Sequence, residues 1–90
     1  MPVEHDPQAH RFQLPAERGD VHLDYREMDE HTLDFYFTYV DPALRGRGLA
    51  AEVVRGALDG ARAEGKRVIP SCSYVRAFIR RHPEYADLQG

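Results

Sequence analysis

The chain holds a single cysteine, Cys72, so no internal disulfide can form. No apolar run approaches the roughly 20 residues that a membrane-spanning helix needs, so no membrane partner is expected. The stretch Met1-Pro2-Val3-Glu4-His5-Asp6 is acidic and lacks an apolar core, and does not read as a secretory signal. These absences together point to a reducing, cytoplasmic compartment. His5, His10, His22, His31 and His82 lack ligand spacing, and no cysteine pair supports them, so no metal is expected. Repeats, low-complexity tracts and internal linkers are missing too.

What is there describes one small domain. A chain of 90 residues buries only about 60–65% of its unfolded surface, so its core is thin. At 42% hydrophobic and 30% charged residues it is an ordinary globule. The net charge of −3 is unevenly spread. Residues 1–44 carry three arginines against ten acids, and residues 45–90 carry nine basic residues against five acids. A basic second half suits an anionic ligand and an acidic first half suits a cationic one. The asymmetry also fits a merely solvated surface. No nucleic-acid motif accompanies the basic residues, so no specific nucleic acid is expected.

Residues 1–9 carry two prolines and no periodicity, which reads as a flexible arm before a single domain at 10–90. His10–Leu14 has a strand pattern, and Glu17-Arg18-Gly19-Asp20 is a turn. Val21–Glu27 alternates, with Val21, Leu23 and Tyr25 inward and His22, Asp24 and Arg26 outward. Thr32–Val40 places Leu33, Phe35, Phe37 and Tyr39 on one face. Three strands joined by short turns make an antiparallel meander. Asp41-Pro42 breaks the strand. Leu49–Glu64 is then helical, with Leu49, Ala50, Val53, Val54, Ala57, Leu58 and Ala61 on one face. Gly56 and Gly60, four apart at the edge of that face, read either as a close approach to the sheet or as tolerated weakness. Gly65 ends the helix. Arg67–Val75 reads as a strand containing a proline, and Val75–Arg81 as a short helix closed by His82-Pro83.

The fold class is therefore α+β, with α/β character in the C-terminal half. A meander leads into a strand–helix–strand crossover, whose two strands run parallel. Pro70 has no N–H to give a sheet, so the last strand should peel away partway and open a slot beside its neighbour.

Arg45-Gly46-Arg47-Gly48-Leu49-Ala50 lies between strand and helix. Two glycines let amides turn toward one point, and the helix start adds about half a positive charge. Arg45 and Arg47 add guanidinium groups suited to phosphate oxygens. A Walker loop would need Lys-Ser/Thr where Leu49-Ala50 stands. A dinucleotide fold would need an acid at the end of the next strand, which has none. A pyrophosphate site and a plain tight turn with surface arginines are the readings left.

Arg45-x-x-Gly48-x-Ala50 resembles the Q/R-x-x-G-x-G/A signature of the GCN5-related N-acetyltransferases. Thr38-Tyr39-Val40, Pro42, the run Pro70-Ser71-Cys72-Ser73-Tyr74-Val75 and His82-Pro83-Glu84-Tyr85 resemble its minimal subgroup, the bacterial YjdJ type with its plant and animal relatives. The likeness spans roughly residues 10–88. It implies acetyl-CoA (coenzyme A) as ligand, with the pyrophosphate on the amides of Arg45, Gly46, Arg47, Gly48, Leu49 and Ala50. It also implies splayed parallel strands, with the pantetheine arm pairing near Thr38, Tyr39 and Val40. Members of the subgroup often carry histidine where this chain has Phe37.

Cys72 is the residue that the resemblance puts forward for chemistry. A thiolate there could carry the acetyl group, with pocket lining and plain core as its other readings. Direct transfer to an amine needs a base and a proton donor. Tyr74 and Tyr85 are candidate donors, and His82 and Glu84 candidate bases. Amides near Thr38–Val40 would steady a developing oxyanion if the strand bulges there. The expected activity is acetyl-CoA-dependent N-acetyl transfer to an unidentified amine, a protein lysine or a small molecule. The alternative is a module that binds CoA or acyl-CoA without turnover. Unpaired edges in so small a sheet also allow a homodimer.

Overall fold

Alternation of apolar and polar residues builds one five-stranded sheet, and a helical stripe covers one of its faces. The computed structural model describes residues 3–90. Strands β1 (Glu4–Asp6), β2 (Arg11–Gln13), β3 (Val21–Asp29) and β4 (Thr32–Val40) form an antiparallel meander. Helix α1 (Leu49–Ala63) then crosses to β5 (Arg67–Ile69), which pairs parallel with β4. Helix α2 (Ser73–Arg81) and a 3-10 turn at Pro83–Leu88 finish the chain. The strand order is β1-β2-β3-β4-β5. The expected meander and parallel crossover are both present.

α1 lies against β2, β3, β4 and β5 and buries Val53, Val54, Ala57, Leu58 and Ala61. They meet Leu23, Phe35 and Val68 of the sheet and Val75 of α2, all inaccessible to solvent. Gly65, with φ +69°, ends α1 in a Schellman arrangement: its N–H donates to Arg62 and that of Lys66 to Ala61.

Residues 4–6 correct the expectation of a loose arm. β1 pairs with β2, placing His5 opposite Phe12, and the two rings stack at 4.3 Å. Val3 packs onto Gly56, where a Cβ would collide with its side chain. Met1 and Pro2, part of the same expected arm, lie outside the described residues.

Of the two readings of Gly56 and Gly60, close approach is the one seen: Gly56 meets Val3 and Gly60 meets Phe12 of the sheet. A Cβ on Gly60 would lie 2.8 Å from Phe12 Cε1, in a ring already fixed between His5 and the core. Gly60→Ala should gain about 1 kcal/mol of helix propensity and lose more through overpacking, which costs about 1–3 kcal/mol. We expect a net fall in melting temperature of about 5 °C in a thermal unfolding scan. A rise would show that the ring has room to move.

The last strand is shorter than its sequence suggests. It stops at Ile69, just before Pro70, and α2 begins at Ser73 instead of Val75. Proline cannot donate to the ladder, and Cys72 becomes the N-cap residue of α2.

The larger correction concerns β4. Asp24 pairs with Phe37 and Tyr25 with Phe35, which leaves Tyr36 without a partner on β3. That extra residue is a β-bulge, and it reverses the alternation beyond it. Leu33 and Phe35 face the core as expected. Phe37 and Tyr39 turn to the opposite face, where Phe37 is 44% exposed. Thr38 and Val40 take their place on the helix side. The displaced rings cover His22, which was expected to be wet and is instead buried, stacked on Tyr39 at 5.3 Å. His22 Nδ1 lies 2.7 Å from Asp20 Oδ1.

Candidate functional site

The β4–β5 ladder has three pairs, Thr32–Arg67, Leu33–Val68 and Asp34–Ile69. Beyond Asp34 the two strands part. One further bond, from the Cys72 N–H to the Phe35 carbonyl at 2.9 Å, marks the fork. Among the described residues, β4 has no neighbour on that side from Tyr36 to Val40. Arg76 holds the departing segment by donating to the carbonyls of Pro70 (2.9 Å) and Ser71 (3.3 Å). The slot expected from Pro70 is thus built.

The bulge decides what faces the slot. Asp41 N–H donates to the Asp20 carbonyl. By antiparallel alternation, Tyr39 and Phe37 also direct their main-chain groups toward β3, and Thr38 and Val40 direct theirs into the open slot. The Val40 carbonyl meets only the Arg45 Nε, at 3.4 Å.

At the head of the slot the chain passes through a 3-10 turn (Pro42–Leu44), capped by the Asp41 carboxylate on the Ala43 N–H at 2.9 Å. It then enters the glycine loop. Gly46 has φ +85° and Gly48 φ +74°, backbone that side chains other than glycine resist. A Cβ on either would meet nothing within 4 Å, so both border open space. Residues 45–48 are exposed. The first bond back into α1 is from Glu52 N–H to Gly48. Among the described residues, the six amides from Gly46 to Ala51 have no hydrogen-bond acceptor. Those that open the helix point out along its axis, with the positive end of the dipole behind them.

Slot and loop are continuous. They form one cleft of about 380 Å³ lined by Thr38, Val40, Leu44, Arg45, Gly46, Gly48, Leu49, Ala50 and Tyr74. Of the residues expected to hold a ligand, Tyr39 and Arg47 are not in this lining. The main chain of Tyr39 is occupied by β3, and Arg47 is exposed.

The chemistry candidates scatter. Tyr74 reaches the cleft and is 40% exposed. Cys72 is outside the lining and half-buried, with Sγ 3.5 Å from the Thr38 hydroxyl. Arg76, within sequence reach of that thiol, directs its guanidinium to carbonyls instead. His82 lies past the far end of α2, eight residues and roughly 12 Å along the helix from Tyr74. There it packs on Phe78, with Nδ1 3.3 Å from Arg55 and 4.0 Å from Glu84. Tyr85 is buried beside them and donates to Asp59 at 2.6 Å. Burial first, then that hydrogen bond, push its phenol above the ordinary tyrosine range. The structure does not bring His82, Glu84 or Tyr85 to the cleft.

One carboxylate escapes the sequence reading. Asp34 ends the β4–β5 ladder at the fork. Its side chain is only 10% exposed, and Oδ1 is buried without a partner among the described residues. Oδ2 meets Arg26 Nη1 at 3.4 Å. Native chains rarely leave such an oxygen unpaired. Alternation assigns Asp34 to a wet face, and only the parting of the strands shows where it stands.

Comparison with known proteins bears on the family and the fold. Residues 11–88 match the family model described as GCN5-related N-acetyl-transferase. Protein NATD1 of Bos taurus is 31% identical over 83 residues, covering 90% of this chain and 74% of the relative. Protein NATD1 of Danio rerio is 29% identical over 89 residues, covering 94% and 81%. A GCN5-like protein of Staphylococcus aureus, solved by NMR in solution, shares the fold with a TM-score of 0.74 at 20% identity. That match covers 98% of this chain and 86% of the other.

Proposed function

The chain belongs to the GCN5-related N-acetyltransferase family, and from that premise we propose that it transfers an acetyl group from acetyl-CoA to an amine. One observation carries this reading: six consecutive free amides at the start of α1 open onto a slot beside an unpartnered stretch of β4. The residues fit the group. Amides of Gly46–Ala51, with Arg45 at the rim, would hold the diphosphate. The main chain of Thr38 and Val40 would pair with the pantetheine amides as a missing strand would. When bound, acetyl-CoA supplies an activated thioester.

The chain's own groups do the rest. Asp34, at the fork although outside the cleft lining, is the group we assign to receive the proton that the acceptor ammonium must lose. Its buried, unpaired oxygen is an acceptor waiting for a donor. Tyr74 stands at the cleft as donor to the departing sulfur. The acidic first half of the chain favours a cationic acceptor, a protein lysine or a small amine.

The competing reading is a module that holds CoA without transfer. Phe37 favours it, because its exposed ring offers no proton-transfer group where the subgroup often has histidine. Incubation with acetyl-CoA and a panel of amines separates the two. Amine-dependent release of free CoA is expected; saturable binding with no release supports the module. Intact-mass measurement on the same mixture should show unmodified protein, since Cys72 is not part of the cleft lining. An added acetyl group on Cys72 would replace direct transfer by a covalent route. A titration with CoA that shows no saturable uptake sinks both readings.

A further inference from the structure

Glu52 lies in the first turn of α1. The positive helix end favours a carboxylate there. That same carboxylate competes with any anion for the same terminus.

Arg18, on the 3-10 turn between β2 and β3, holds it. Nη1 donates to Oε2 at 2.8 Å and Nη2 to Oε1 at 3.3 Å. The same turn touches the loop twice more. Gly19, with φ +100°, leaves a socket that Leu44 fills, and a Cβ there would collide with the Leu44 side chain. The Asp20 carbonyl takes the Asp41 N–H at 2.9 Å. Residues 18–20 thus brace the segment Asp41–Glu52 on both flanks, from outside the cleft. Arg18 and Glu52 are 40% and 30% exposed, and ion pairs so placed add little to stability. Stability alone is a weak reason for a two-pronged pair at this position.

We propose that Arg18 is a positioning residue for the anion loop: it holds and neutralises Glu52, and so keeps a competing carboxylate away from the free amides of Gly46–Ala51. This rests on reading that loop as the seat of the CoA diphosphate. Arg18 is not part of the cleft lining. It acts through Glu52, and the sign of each substitution follows from the charge left behind.

The test is a calorimetric titration with CoA of wild type, Arg18→Gln, Arg18→Lys, Glu52→Gln and the double variant, with thermal unfolding of each. Arg18→Gln leaves Glu52 bare and should weaken CoA binding about 3- to 10-fold. Arg18→Lys should recover most of that loss. Glu52→Gln should bind as tightly as wild type or more tightly. The double variant should fall within about twofold of Glu52→Gln. A bracing role without charge would have Glu52→Gln weaken binding as Arg18→Gln does, with no recovery in the double variant. That result overturns the inference, as does unchanged binding by Arg18→Gln. Should Arg18→Gln fail to fold, Glu52→Gln against wild type decides, and weaker binding overturns it. Wild type that takes up no CoA overturns the reading of the loop itself, a result independent of the variants.

Discussion

Asparagine in place of Asp34 is expected to slow amine-dependent acetyl transfer by about 10²- to 10⁴-fold, the range for loss of a positioned base. CoA affinity should stay within about twofold, because Asp34 lies at the fork and not on the anion loop. Stability should change little. A buried polar oxygen without a partner costs about 1–3 kcal/mol, and Oδ1 is in that state. An asparagine amide keeps the shape and leaves one buried polar atom unpaired in either orientation, so that cost stays. Its one loss is the long contact with Arg26, itself 62% exposed and worth little. The variant is therefore read on three axes: turnover, CoA titration and urea unfolding. Turnover that survives while the unfolding midpoint drops would make Asp34 a structural partner of Arg26, and the base would have to be sought elsewhere.

Valine at Gly48 should have the second largest effect, a loss of CoA affinity of about 100-fold or more. Gly48 has φ +74° and ψ 15°. A β-branched residue there is a genuine outlier, and such strain costs about 1–3 kcal/mol. The chain has two ways out. It can keep the conformation and lose that much stability, or it can rotate the peptide and turn the neighbouring amides away from the cleft. Losing one or two hydrogen bonds to a charged ligand costs about 1.5–3 kcal/mol each, and about 2.7 kcal/mol is a hundredfold in affinity. Open space around the missing Cβ rules out a packing clash as the cause. Calorimetry and a thermal scan together divide the loss between the two routes. Valine that leaves both affinity and stability intact would mean that the bend does not depend on the left-handed backbone.

The meander, α1 and the glycine loop are legible because each rests on a local period or on a residue with one dominant conformational use. β1 is not. Its three residues, Glu-His-Asp, have no apolar pattern, and it exists through long-range contacts, His5 on Phe12 and Val3 on Gly56. The bulge is hidden for a different reason. Phe35-Tyr36-Phe37 is aromatic throughout, so no polar residue marks the skipped position, and period-two reading runs straight on to Phe37 and Tyr39. The start of α2 is missed because Cys72 is not a usual N-cap residue. On the site, Arg45-x-x-Gly48-x-Ala50 found the loop, and Pro70 found the fork. Asp34 stayed hidden because an acid at an outward position of a strand is the commonest sight in a small sheet. His82 looked promising from its neighbours in sequence, and the length of α2 carried it away.

The short β5 has one more consequence. From Tyr36 onward β4 behaves as a sheet margin, although it runs through the middle of the molecule. Bare margins are where protein chains stick to each other. Among the described residues no segment lies over the notch, and a bound ligand would be its cover. Solubility and self-association should then depend on occupancy, with the empty protein the more adhesive form. Storage without ligand would be the condition under which this chain clumps.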